Sequence, residues 1–431
     1  MKTSKRFFKL IVAFSVFMCF SMFAMADDVS NIDTGDTSWM IVATALVMLM
    51  TVPGLALFYG GMTKKKSVLN TILMSFVAFA LTTVIWVLYG YSLAFSGDIG
   101  GVIGDLSKFL IPVKGNVVGS IPEYIFIVFQ LTFAAITVAL ISGGVIERMK
   151  FYSWFIFTIL WVSIVYVPIA HWVWGNGFLM NLGALDFAGG TVVHINAGIS
   201  ALALVLLLGK RNEPILIPHN VILTMIGAAL LWFGWFGFNA GSALGANELA
   251  SIAFLNTILA TSISAVTWMM IESIFLNKST AVGFASGIVS GLVAITPAAG
   301  FVNVSGSIII GIVAGILPFF VITYIKPLLG YDDSLDVFGI HGIAGIAGSI
   351  LTGIFADPKI NSAGVGLIYG NYNQVFIQII AVAVVIIYSF IATLVISIVV
   401  KYINGLRVDK NSEVVGIDQI EHGEKAYNLH I

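Results

Sequence analysis

Two histidines, His194 and His341, sit inside long apolar runs where few other ionisable residues occur. A charge in a bilayer costs about 2.5–3.5 kcal/mol even on lenient scales, so each such group is a candidate for function. Apolar surroundings favour the neutral imidazole, because desolvation penalises the charged ring. A neutral ring offers one N–H donor and one bare nitrogen. Two rings in contact can share one hydrogen bond and still turn polar edges to a narrow lumen. That suits a small, neutral, hydrogen-bonding guest, and the pair can also relay a proton. Two rival readings fit the same residues: structural histidines bridging helices, and bis-histidine haem ligation.

Other polar groups are sparse. Asp186 precedes the helix-start sequence Phe187-Ala188-Gly189-Gly190-Thr191. Its carboxylate can cap free N–H groups there, or it can orient or bind a cation. His171 closes the fourth apolar run and Glu272 lies late in the seventh, while Glu147 and Arg148 read as an ordinary interfacial pair. Aromatics gather towards one set of helix ends: Phe129 and Phe133, Trp172 and Trp174, Trp235 and Phe238. An interfacial belt explains them. So does a cation site, since an ammonium-like ion gains about 0.5–2 kcal/mol from each aromatic face. Phe129 and Phe133 are four apart and share one helix face.

These residues need a scaffold, and composition says which. The chain is 59% hydrophobic and 10% charged, against about 25% charged in soluble domains. The bilayer must be the solvent, and apolar runs of this length fit helices rather than a barrel. A net charge of −1 excludes an electrostatic footprint for nucleic acid. Residues 1–26 read as a cleaved signal peptide. Lys2, Lys5, Arg6 and Lys9 are basic, an apolar run follows, and Ala24-Met25-Ala26 fits a cleavage site. The alternative, an additional span, requires a crossing by a short run. The single cysteine, Cys19, lies in this segment, so the mature chain has no thiol chemistry.

After a short segment, 27–38, eleven spans are expected within a channel domain, 39–403. They run near 39–62, 69–95, 121–146, 151–174, 190–209, 219–241, 249–276, 281–299, 304–325, 337–357 and 374–402, each close to the ~20 residues a crossing needs. Lys and Arg crowd one set of loops and the polar tail, 404–431, whereas only Lys108, Lys114 and Lys359 lie opposite. The positive-inside rule puts the tail in the cytoplasm and the N-terminus in the periplasm. The tail is either disordered or a docking segment. A faint repeat relates spans one to five and six to ten. Leu57-Phe58-Tyr59-Gly60-Gly61 parallels Gly237-Phe238-Asn239-Ala240-Gly241, and Asp186 with His194 parallels Asp336 with His341. Five is odd, so the two halves would be inverted, with the path at their interface.

Four stretches resemble the ammonium transporter (Amt/Mep/Rh) family, and its bacterial Amt branch in particular. They are Pro53–Gly61, Asp186–Gly198, Trp235–Ser242 and Asp336–Gly342, in order and with similar spacing. The resemblance implies an all-α integral membrane protein of eleven spans, two inverted five-helix repeats plus a final helix, with one pore per subunit. It further implies recruitment of NH4+ by Phe129, Trp174, Ser242 and Asp186, a phenyl gate of Phe133 and Phe238, and a pore lined by His194 and His341. A homotrimer in a bacterial inner membrane is implied too, with a tail that meets a PII-type nitrogen-signalling protein. Gly416-Ile417-Asp418 and His422–Tyr427 carry the tail likeness, which is weaker between Asp409 and Val415. No enzymatic activity, cofactor or metal is expected. The alternatives are an ammonium sensor with little flux and a bis-His haem protein. An aquaporin-type channel would show paired Asn-Pro-Ala segments, and none occurs.

Overall fold

The computed structural model describes residues 32–213 and 217–427. The expected signal peptide lies outside the described residues. Among the described residues, ten helices are long and apolar enough to cross a membrane. These are α1 (Thr34–Met62), α2 (Val68–Phe95), α3 (Glu123–Val145), α4 (Phe151–Leu182), α5 (Gly190–Leu208), α6 (Val221–Gly241), α7 (Glu248–Leu276), α9 (Val304–Leu329), α10 (Phe338–Phe355) and α11 (Asn373–Asn404). The expected span at 281–299 is shorter: α8 covers Ala281–Ile295 and closes in a turn after Ile295. Ten long spans plus this short apolar helix therefore stand where eleven were expected. A two-residue hairpin, β1 (Val117–Val118) and β2 (Ile121–Pro122), precedes α3.

Local sequence sets the boundaries. Side chains of Asp33, Asn220, Asn247, Thr280 and Asn303 accept backbone N–H bonds at the starts of α1, α6, α7, α8 and α9. Those donors have no partner within the helix, so each cap satisfies a group that the bilayer cannot. Asn277 and Gly330 end α7 and α9 in the left-handed conformation. Several spans carry one π-helical turn. In α4 it is Val162–Tyr166, two residues before Pro168; in α9 it is Val321–Ile325, two residues before Pro327. Proline lacks the N–H that ordinary winding uses, so an extra residue is accommodated there.

Without a hydrophobic drive between helices in lipid, close packing of small residues must hold the bundle. Gly227, Gly234 and Gly237 let α6 lie directly on α1; a Cβ at Gly227 would strike the Phe58 backbone. Helices α5 and α10 cross where Gly198 meets Gly342, leaving no space for a side chain on Gly198. Helix α3 is buried along nearly its whole length, while α9 and α11 expose Ile, Leu and Val outward.

The tail is docked, which decides between the two expectations for it. Helix α12 (Lys410–Val415) and a π-turn at Asp418–His422 lie across one end of the bundle, here called the tail face. Asp418 caps α2 by accepting from Leu69 N (3.0 Å) and Asn70 N (2.8 Å). Glu421 accepts from Phe151 N at 3.1 Å, and the His422 ring sits 4.7 Å from that of Phe151. The Glu147–Arg148 pair expected from sequence does not form. Glu147 instead meets Arg211 (3.1 Å) and Lys64 (3.7 Å), and Arg148 turns inward to Ser334 and Asp332. A positive φ of 68° at Glu147 points the two neighbours apart.

Candidate functional site

Asp186 builds the segment that carries His194. Its Oδ1 accepts from Gly189 N (2.8 Å) and Gly190 N (2.6 Å), and its Oδ2 from Thr191 N (2.8 Å), Val192 N (3.2 Å) and the Thr191 hydroxyl. Each free donor at the start of α5 is thereby satisfied in the low-dielectric interior. Of the alternatives left open by sequence, capping is the one observed. Asp186 is buried and does not line the cavity described below. Its backbone oxygen accepts from Trp174 Nε1 at 2.9 Å, which holds that indole in place.

The helix then opens with a π-turn, Gly190–Ile195, that contains His194; α10 opens with another, Phe338–Ile343, that contains His341. The sequence comparison matched Asp186 to Asp336, and the structure corrects this. The capping carboxylate at α10 is Asp333, whose Oδ2 accepts from Phe338 N at 2.7 Å. Asp336 points away to Lys326 Nζ at 2.6 Å. Burial pushes the Asp336 carboxyl up to about 6, against the opposing pull of that ammonium. Each cap lies eight positions before its histidine, 186 before 194 and 333 before 341, a spacing that sequence alone could have revealed.

Because α5 and α10 approach backbone to backbone, the two rings meet: Nδ1 of His341 is 3.3 Å from Nδ1 of His194, with centroids 5.4 Å apart. One proton lies between two nitrogens, so one ring donates and the other accepts. The donor ring then has a bare Nε2 and the acceptor ring an Nε2–H. His194 Nε2 is buried and finds no partner among the described residues. Trp235 stacks on His194 at 5.3 Å and 16°, oriented by its own bond to Thr296 Oγ1 on the turn after α8 (2.9 Å).

A file of rings runs from this pair to the end of the bundle opposite the tail, the mouth face. Phe238 lies 6.0 Å from His194 and stacks on Phe133 at 4.1 Å. Phe133 in turn meets Phe129 at 4.9 Å and Trp174 at 5.8 Å. Above Phe133 is a cavity of about 270 Å³ lined by Phe129, Gln130, Trp174 and Ser242, among others. The Ser242 hydroxyl donates to Phe238 O (2.8 Å), leaving its lone pairs free. Thus seven of the eight residues assigned to the path from sequence fall along one line, and the eighth, Asp186, acts from behind it. Thr296 and Gln130 were not singled out beforehand, and Trp235 was named only among the clustered aromatics. Among the described residues no cluster of His, Cys, Asp or Glu is arranged to hold a metal ion.

Comparison with known proteins identifies the family. Residues 38–427 match the model of the Ammonium Transporter Family. The chain belongs to that family. An ammonium transporter of Aquifex aeolicus is 57% identical over 95% of this chain and 97% of its own length. The crystal structure of Saccharomyces cerevisiae Mep2 superposes with a TM-score of 0.83 at 38% identity, covering 89% of this chain and 90% of that one. A structure described as a sensor Amt protein superposes at 0.84 with 28% identity, covering 90% and 98%. As an ammonium transporter family member the chain is a multi-pass membrane protein and not an enzyme.

Proposed function

We propose that this protein takes up NH4+ at the mouth cavity, releases one proton from it, and conducts NH3 past His194 and His341. The contact between the two uncharged rings carries the reading. NH4+ and K+ are close in size, so charge alone cannot separate them. NH4+ can break one N–H bond, leaving the electron pair on nitrogen and the proton with mouth water. NH3 is both donor and acceptor, and the ring pair presents one bare nitrogen and one N–H to it. K+ has no proton to lose and faces full dehydration among aromatic rings. On this reading Phe129, Trp174 and Ser242 hold the ion, Asp186 positions Trp174 and α5, and Phe133 with Phe238 form a gate that swings aside.

The charge bias of the loops supports a bacterial inner membrane with the mouth face in the periplasm and the tail face in the cytoplasm. The same reading makes the protein a homotrimer. It also gives the docked tail, which with Lys65, Lys66 and Tyr427 frames a cavity of about 570 Å³, to a PII-type partner. Ammonium-driven current and lumenal pH change in proteoliposomes, with K+ as control, test the function. Replacing both histidines by Ala should abolish selective flux; unchanged flux and selectivity would refute their role. A second reading, sensing with little flux, is favoured by the likeness to a sensor Amt protein. Absent vesicle transport alongside intact ammonium signalling in cells would select it.

A further inference from the structure

A cation in the mouth cavity needs acceptors, and the cavity offers few. Its lining is aromatic and aliphatic apart from Gln130 and Ser242, without a charged side chain. Trp174 carries only a donor, already given to Asp186 O. The side-chain oxygens on the wall are therefore those of Ser242 and Gln130. Gln130 is 9% exposed, and its Oε1 is buried with no hydrogen-bond partner. Leaving a buried acceptor unpaired is costly, and natural structures rarely do so without reason. Its place on α3 is also telling. Phe126, Gln130 and Phe133 recur at helical spacing on one face, so the amide is aimed with the rings at the cavity.

We infer that Gln130 is a specificity-determining ligand of the recruited ion, its Oε1 accepting one N–H of NH4+ opposite Ser242 Oγ. The inference rests on the recruitment reading above and deepens it. Ring faces supply diffuse attraction for any small cation. Two fixed oxygens supply direction, which a tetrahedral N–H donor can use and a spherical ion cannot. Two oxygens also fall short of the six or so that K+ finds in water. Methylammonium, with one N–H replaced by a methyl, retains fewer donors and should be held less well.

The test compares saturation of ammonium- and methylammonium-driven currents in proteoliposomes for the full chain and three variants. Gln130→Met keeps the length and removes the acceptor. It should raise the half-saturating ammonium concentration roughly tenfold, the scale of one hydrogen bond to a charged donor, with little change in maximal current. It should also narrow the gap between ammonium and methylammonium. Gln130→Glu, which retains an acceptor, should restore low half-saturation. Ser242→Ala serves as the reference for the recruitment site itself. Unaltered half-saturation in Gln130→Met, with a rise in Ser242→Ala, would overturn the assignment of Gln130 and leave the recruitment site standing. Unaltered values in both would overturn the recruitment reading as well. A fall in maximal current alone, common to the Met and Glu variants, would mark a packing role and also overturn the assignment. Thermal unfolding of each purified variant identifies any that fail to fold. In that event Gln130→Asn, which withdraws the oxygen without changing its chemistry, must reproduce the rise, and its failure to do so overturns the assignment.

Discussion

The segment presenting His194 and the segment presenting His341 share their winding but not their load. Each opens with a π-turn capped by an aspartate eight positions earlier. Asp186 spends both oxygens on five donors around one turn. Asp333 is equally buried, yet its Oδ1 has no partner among the described residues. The fourth span of the first half, α4, runs 32 residues and ends in the short helix Phe178–Leu182, while its counterpart α9 runs 26 residues; each stops four residues before its cap. The mouth face carries the aromatic cavity, to which that short helix contributes Met180. The tail face gains instead a cluster of Arg148, Arg211, Asp332 and Lys326. One winding scheme thus serves two ends, one with an aromatic cavity lined by no charged side chain and one with an ionic cluster.

The sharpest way to break this comparison is to delete the caps. Asp186→Ala strands five donors in the interior and should cost on the order of 3–5 kcal/mol, as for breaking a buried charged network. Asp333→Ala loses a lighter cap and should cost about 1–2 kcal/mol. Thermal unfolding in detergent reads both, and equal losses would mean that the two carboxylates carry equal loads. Next in size are the crossing glycines. A methyl on Gly198 meets the Gly342 backbone, while one on Gly342 meets mainly the Phe338 ring of its own helix. Gly198→Ala should therefore cost about 1–3 kcal/mol and separate the imidazoles, with Gly342→Ala clearly milder; the reverse order would say that the helices pivot elsewhere.

The ion pairs flanking the halves differ in pH response. Asp336, raised to about 6 by burial, binds its proton more tightly when folded than the unfolded value of about 3.9 allows. Its contribution to stability is therefore full below that unfolded value and is lost as pH rises through about 6. Lys326→Met removes the ammonium that lowers it, so the titration seen by infrared carboxyl bands should move higher still. Asp98, on the mouth face, shifts the other way. A hydrogen bond with His171 Nε2 at 3.0 Å holds its carboxyl below the usual range. That tether is present above the unfolded value and is lost as pH falls through the depressed one. Asp98→Asn should speed amide exchange in residues 98–105 at neutral pH while leaving transport nearly intact, the smallest effect of the set. Unaltered exchange would show that the loop is held by its backbone bonds alone.

What the sequence made legible was whatever depends on burial and pattern. The spans follow from apolar length, and the histidines stand out because ionisable groups are scarce in apolar runs. The aromatic line was suggested by helical spacing. Contacts set by a single backbone angle or by distant chain were hidden. Arg148 and Glu147 are adjacent in sequence but diverge at a positive φ, and each finds a partner far along the chain. Two aspartates three residues apart competed for one role, and only the turn geometry chose Asp333. Gln130 was passed over because an uncharged amide in an apolar helix raises no alarm until its oxygen is seen to lack a partner. Polar composition said that the tail could not form a core, but not that it would cap α2.

The extra residue wound into each histidine-bearing turn acts as a rotational offset. An ordinary helix advances about 100° per residue, so trimming one position from 190–195 would swing the capped end of α5 by that angle relative to its body. The imidazole and the carboxylate would then face different sides of the same rod. Length variation, harmless in a surface loop, is therefore a steering error here, and the stretch from cap to imidazole should accept substitutions far more readily than insertions or deletions.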